Sequence, residues 1–241
     1  MFARCSSITS LDLTSLDTSE VTSMRGMFDN CSDLTNLDLT PLDTQNVTNM
    51  SGMFNSCESL TSLDLSPLNT KNVTDMSWIF SSCVGLSSID LSPLDTNNVT
   101  DTSFMFYGCT GLKTLDLTPM NTSKVVTMQQ MFYDCSGLTS LDLTSLDTRN
   151  VMGMSGMFQG CKSLINLDLS SLNTQKVTSM NSMFLDCDSL STLSIGEKFA
   201  FVGTYYNLPS DTWYSSNGTA YISNGNSCTI PSDKADTYTR K

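Results

Sequence analysis

Apolar and polar positions follow one another along this chain in a phrase of 26 residues that returns again and again. In the copy that starts at Val21, the apolar positions continue at Met24, Met27, Phe28, Cys31 and Leu34. These intervals of three and four predict one apolar stripe on a short helix. Thr22 or Ser23 stands where a hydroxyl can accept the first free N–H groups. Residues 36–40 then alternate polar and apolar, which predicts a short strand with Leu37 and Leu39 turned inward. Leu42 turns inward again, Asp43-Thr44 opens a polar turn, and Val47 starts the next copy.

The beat does not slip. Phe2, Phe28, Phe54, Phe80, Phe106, Phe132, Phe158 and Phe184 keep it, and Cys5, Cys31, Cys57, Cys83, Cys109, Cys135, Cys161 and Cys187 keep the same step. A fixed period of this size predicts stacked supersecondary units. The expected fold is an α/β repeat solenoid. The LDL or IDL strands from Leu11 to Leu169 would form one parallel sheet, with short helices opposite. Phe, Cys, Met, Leu and Val ladders would fill the interior.

The rhythm ends near Ile195, which divides the chain into residues 1–195, seven repeats and a partial eighth, and residues 196–241. The second part is rich in aromatics. Asn217-Gly218 between Trp213-Tyr214 and Ala220-Tyr221-Ile222 predicts a hairpin. A β-rich cap is expected there, since an open solenoid end exposes apolar surface. Met1-Phe2 stands where each later Met-Phe stands, so the chain reads as a fragment of a longer array. Its first coil is expected to lack a cap.

Composition narrows the function. Twelve basic residues against 24 acidic ones give a net charge of −12, which disfavours nucleic acid and anionic lipid as partners. Histidine is absent, removing the commonest general base and metal ligand. No nucleophile stands beside a base and no glycine-rich phosphate loop occurs, so an enzyme is not expected. No apolar run is long enough to span a membrane, and no signal-peptide pattern opens the chain. The nine cysteines lack the close pairs of zinc sites. Eight fall one to a repeat, unlike a disulfide framework. They read as buried thiols, and the methionines as adaptable core filler. No metal or cofactor is expected.

Two polar ladders recur. At the turn, Asp17, Asp43, Asn69, Asp95, Asn121, Asp147 and Asn173 interchange Asp with Asn, each followed by Thr. A position that accepts either residue needs the side-chain oxygen and not the charge, as in an Asx turn. The following Thr is expected to tie the same turn. On the strand, the position is always Asp: Asp12, Asp38, Asp64, Asp90, Asp116, Asp142 and Asp168. Like charges facing one another across a sheet repel. Flanking hydroxyls such as Thr14 and Ser66, bound cations, or a basic partner would each offset that repulsion. Where repulsion persists, the carboxyl pKa values rise and stability increases as pH falls toward them. A third feature breaks the pattern. Trp78, Phe104, Tyr107 and Tyr133 place aromatics where other copies are small or polar. Local repacking explains them, and so does an exposed aromatic contact patch.

The run Cys57-Glu58-Ser59-Leu60-Thr61-Ser62-Leu63-Asp64-Leu65 has the L-x-x-L-x-L core of leucine-rich repeats. The Met-Phe-x-x-Cys before it resembles BspA-like repeats. Over residues 1 to about 195, the whole phrase resembles the 26-residue repeat of bacterial surface proteins. That resemblance implies a right-handed leucine-rich-repeat-like stack on secreted or cell-surface proteins, with roles in adhesion and partner binding. It supplies no catalytic residues. The resulting expectation is a non-catalytic extracellular binding module whose acidic, hydroxyl-rich strand face meets a protein or glycan on a host or neighbouring cell. The alternative is a structural spacer that associates end to end through its first coil.

Overall fold

A computed structural model describes residues 1–232 and 234–241. The apolar positions of each copy converge on one continuous core. In the third coil Val47, Met50, Met53, Phe54, Cys57 and Leu60 are all fully buried. The Phe rings stack face to face from coil to coil, with centroids 5.8 to 6.3 Å apart. Each buried thiol points back one coil: Cys57 Sγ donates to the Phe28 carbonyl at 3.3 Å and Cys83 Sγ to the Phe54 carbonyl at 3.1 Å. The cysteines are free, as the spacing implied.

The expected helices are absent among the described residues. In their place each coil runs through overlapping four-residue turns. Met27 N–H bonds Met24 C=O, Asp29 bonds Gly26, and Cys31 bonds Phe28. Gly26 and Asn30 hold φ near +58° and +57°, a sign no right-handed helix allows. In the first and third of these turns the positive-φ residue is the third of four, the place where a type II turn requires one. The same two positions recur two residues before and two after each Phe, for example Gly52 and Ser56, or Gly156 and Gly160. The turns aim alternate N–H groups along the stack. Met24, Gly26, Phe28 and Asn30 donate to the carbonyls of Asn49, Ser51, Met53 and Asn55 in the next coil, at 2.7 to 2.9 Å. Parallel bridges from Ser23 to Asn49, then Asp75, Asp101, Thr127, Gly153 and Ser179, border this ladder.

The single strand-side sheet is also corrected. β1 (Ser10–Leu11) pairs with β2 (Asn36–Leu37), and β3 (Asn166–Leu169) pairs with β4 (Thr192–Ile195), both parallel. Between these pairs the LDL segments keep their inward leucines but form no strand. The coils are already joined on the turn face, so the strand side is not required to hold them together. At the far end it widens into a larger sheet against the last part of the chain.

That part contributes β5 (Asp211–Tyr214), β6 (Ala220–Ser223) and β7 (Asp236–Arg240). β5 and β6 form the expected hairpin, with Gly218 at φ +84° in its turn. β7 lies antiparallel to β4 and to β5, giving one sheet in the order β3-β4-β7-β5-β6. Trp213 and Tyr238 are buried beneath it. Nearby, the carbonyls of Tyr205 and Tyr206 accept from Ser182 and Phe184, at 2.6 and 2.9 Å. They supply the acceptors that a further coil would have supplied.

Candidate functional site

All seven strand carboxylates are exposed along one side of the stack. Each folds back on its own chain: the N–H two residues later donates to Oδ1, at 3.0 Å for Thr14 on Asp12, 2.9 Å for Ser66 on Asp64 and 2.8 Å for Ser170 on Asp168. The bonds on Asp38, Asp90, Asp116 and Asp142 are 2.9 Å. Where a Thr hydroxyl is oriented to help, it donates at 2.7 Å, as from Thr14, Thr118 and Thr144. These bonds favour the ionised form. The hydroxyl and then the N–H of Thr14 hold Asp12 below the ordinary carboxylate range. The N–H and hydroxyl of Ser66, Ser92 and Thr144 do the same for Asp64, Asp90 and Asp142. This direction is opposite to the one repulsion implies, and it follows from local hydrogen bonds. Oδ2 of each of the seven takes no bond within the chain among the described residues.

The turn ladder is built the same way. Ser19 N–H donates to Asp17 Oδ1 at 3.1 Å and Gln175 N–H to Asn173 Oδ1 at 3.0 Å, so either residue type serves. The Thr beside it does something other than tie its own turn. Thr44 Oγ1 donates to the Asn69 carbonyl at 3.1 Å and accepts the Asn69 N–H at 2.7 Å, one coil onward. A buried hydroxyl thus clips successive coils.

The four aromatics that break the pattern come together on the turn side. Trp78 and Phe104 stack with centroids 3.9 Å apart, and Tyr107 stacks on Tyr133 at 4.4 Å. Trp78 and Tyr107 lie 5.6 Å apart and tilted. Trp78 is 37% exposed, and the other three are half-buried. Trp78 and Phe104 both hold φ +61°, where a bulky residue is an outlier. Such a conformation costs about 1–3 kcal/mol per residue, and an aromatic pair returns about 0.5–1.5 kcal/mol.

The repeat also identifies the chain's relatives. A family model described as a Mycoplasma protein of unknown function, DUF285, matches residues 1–110 and again residues 82–196. The chain belongs to the DUF285 family. No curated protein matches it. Among solved structures this DUF285 chain is similar to a leucine-rich repeat protein from Eubacterium ventriosum, at 21% identity and a TM-score of 0.31, over 54% of this chain and 35% of that one. It is also similar to a leucine rich cell surface protein from Faecalibacterium prausnitzii, at 18% identity and a TM-score of 0.28, over 80% of this chain and 74% of that one. A third is the TLR13–ssRNA13 complex, at 19% identity and a TM-score of 0.29, over 80% and 33%. This DUF285 chain thus spans about a third of the Eubacterium protein's length. The family match agrees with the BspA-like leucine-rich-repeat reading of the phrase.

Three DUF285 residues that the pattern did not single out, Arg25, Asp29 and Asn55, line a cavity with Trp78. The signal for them was the glycine at 26 and 52, two and one periods before Trp78. An aromatic set against two empty ladder positions leaves one face uncovered. Exposed carboxylate oxygens thus line one side of the stack, and aromatic faces with polar neighbours the other.

Proposed function

We propose that this chain is a non-catalytic binding or adhesion module, acting at a secreted or cell-surface location, whose strand-side carboxylates engage a basic protein or a glycan. The observation that carries this reading is the regular row of Asp residues, each with Oδ1 fixed by its own turn and Oδ2 available. Such a row requires no rearrangement to receive a ligand with matching donors. A solenoid offers it as one extended face, and charge complementarity steers the encounter. Residues 1–195 form the binding array in this reading, and residues 196–241 its cap.

The triple substitution of Asp64, Asp90 and Asp116 by Asn tests it. Asn keeps an oxygen for the i+2 N–H, so the coils should stay folded, while the charge is lost. Binding to an immobilised oligo-arginine peptide and to a glycan array would be compared with the unaltered chain. The reading expects loss of the peptide signal and of those glycan signals that weaken in the unaltered chain as salt rises, since these depend on the carboxylate charge. Unchanged peptide binding by the folded triple variant would overturn it.

A further inference from the structure

The positive-φ position two residues before each Phe forms its own ladder along the turn face. It is occupied in order by Gly26, Gly52, Trp78, Phe104, Gln130, Gly156 and Ser182. Phe104 covers one face of Trp78. The other face looks along the ladder toward Gly52 and Gly26, which bring no side chain. A Cβ placed on Gly52 would meet nothing closer than the Cβ atoms of Asn55 and Trp78, at 3.8 and 3.9 Å. The space left open is a cavity of about 250 Å³. Trp78 and the two glycines line it together with Arg25, Asp29 and Asn55.

Its polar groups are ordered before any ligand arrives. Asn55 Nδ2 donates to Asp29 Oδ1 at 2.6 Å, which sets amide and carboxylate side by side. Asp29 Oδ2, Asn55 Oδ1 and the Arg25 guanidinium take no side-chain bond within the chain among the described residues. The cavity therefore offers an aromatic face, two free acceptors and a forked donor. One cation and one carboxylate leave it without net charge.

We propose that this groove binds one pyranose ring of a neutral glycan, stacked on the open face of Trp78. A pyranose presents an apolar C–H face with hydroxyls around its rim. Those hydroxyls both donate and accept, as Asp29, Asn55 and Arg25 require. A small pocket with an aromatic wall and a few convergent polar groups is the usual form of a specific ligand site. A cationic ligand would meet Arg25 and an anionic one Asp29, so neither matches the pair as a neutral polyol does. Backbone strain held in place is a recurring property of ligand clamps, and Trp78 holds such a conformation at a position where the two preceding coils use glycine. The groove lies on the turn side and does not depend on the strand carboxylates.

The two tryptophans of the chain make the test direct, because Trp213 is fully buried and a ligand at the surface reports through Trp78. The full chain would be titrated with cellotetraose, laminaritetraose, mannotetraose and N-acetylchitotetraose, following tryptophan emission and, in parallel, the heat of binding. A saturable change is expected with at least one of them. In Trp78→Gly, which installs the residue found at 26 and 52, calorimetric affinity should fall at least tenfold while the melting curve stays cooperative. Asn55→Ala should weaken binding, and the strand-side triple Asn variant should bind the sugar as before. The proposal is overturned if none of the four sugars gives a saturable change. It is equally overturned by sugar binding that survives in Trp78→Gly, by a response to oligo-arginine peptide in place of sugar, or by loss of sugar binding in the triple Asn variant alone.

Discussion

The hydroxyl of Thr70 holds both backbone groups of Asp95, donating to its carbonyl at 3.0 Å and accepting its N–H at 2.7 Å. The two residues are 25 positions apart in sequence and one coil apart in space. Thr70 is buried, so water cannot readily replace it. Thr70→Val keeps the shape and leaves two backbone groups without partners, at a cost of about 2–4 kcal/mol. Thr70→Ser keeps the hydroxyl and should cost less than about 1 kcal/mol. Urea unfolding of both variants checks the difference, and equal midpoints would remove the clip from the account.

The left-handed positions make a prediction with two signs. Ser56 sits at φ +56° where other coils carry glycine, such as Gly108 and Gly160. Ser56→Gly relieves a backbone cost of about 1–2 kcal/mol and gives back about 0.5–1 kcal/mol to the unfolded chain, so stability should rise slightly. Gly160→Ala does the reverse. A Cβ there would stand 3.1 Å from Asp134 Cα and 3.3 Å from its N, at φ +76°. Thermal melts should move in opposite directions for the two variants.

Acid should weaken the fold. Hydrogen bonds hold Asp12, Asp17, Asp64, Asp90, Asp142, Asp147 and Asp236 below the ordinary carboxyl range. A lowered folded-state pKa means that the unfolded chain takes up protons first as pH falls. The contribution is therefore present above the ordinary Asp value of about 3.9 and lost as pH drops through the folded values beneath it. The melting temperature should stay level from pH 7 to 5 and decline below about 4. A melting temperature that climbs on acidification would show that repulsion among the carboxylates outweighs their hydrogen bonds.

The thiols titrate at the other end. Burial pushes Cys57, Cys109 and Cys161 up to about 12, and raises Cys31, Cys83, Cys135 and Cys187 as well. A raised folded-state pKa gives stability that is whole below the unfolded thiol value of about 8.5 and is lost as pH climbs toward the folded one. Unfolding should become easier above about pH 9. At neutral pH a thiol reagent should modify the half-buried Cys5 and Cys228 well before the seven buried cysteines. Mass mapping of the labelled sites distinguishes them, and rapid labelling of Cys109 would contradict the packing.

The sequence made the stack legible because a period cannot be mistaken, and the burial of Phe54, Cys57 and Leu60 follows from it directly. The helix was misread for a physical reason. Apolar residues at intervals of three and four suit a helix, and they suit a run of overlapping four-residue turns equally well. What separates the two is the residue at the left-handed positions. Gly26, Asn30, Gly52 and Gly160 carried that signal, but Trp78 and Phe104 stand in the same column and obscured it. The hairpin at Asn217-Gly218 was readable because its turn chemistry is local. The role of Thr44 was not, since its partner Asn69 lies in another coil. The groove was harder still: Arg25, Asp29 and Asn55 are ordinary surface residues until the stack brings them beside Trp78.

The turn face has one more consequence. Four N–H groups in each coil, such as those of Met50, Gly52, Phe54 and Ser56, all point toward the following coil, and their acceptors all point back. Peptide dipoles aligned in one sense add along their common axis, as they do in a helix. This side of the solenoid is thus an electrical column with its positive pole toward Tyr205 and Tyr206 and its negative pole at the first coil. A carboxylate engineered near the first pole, or an amine near the second, would sit downhill in that field, and the same charges exchanged would sit uphill.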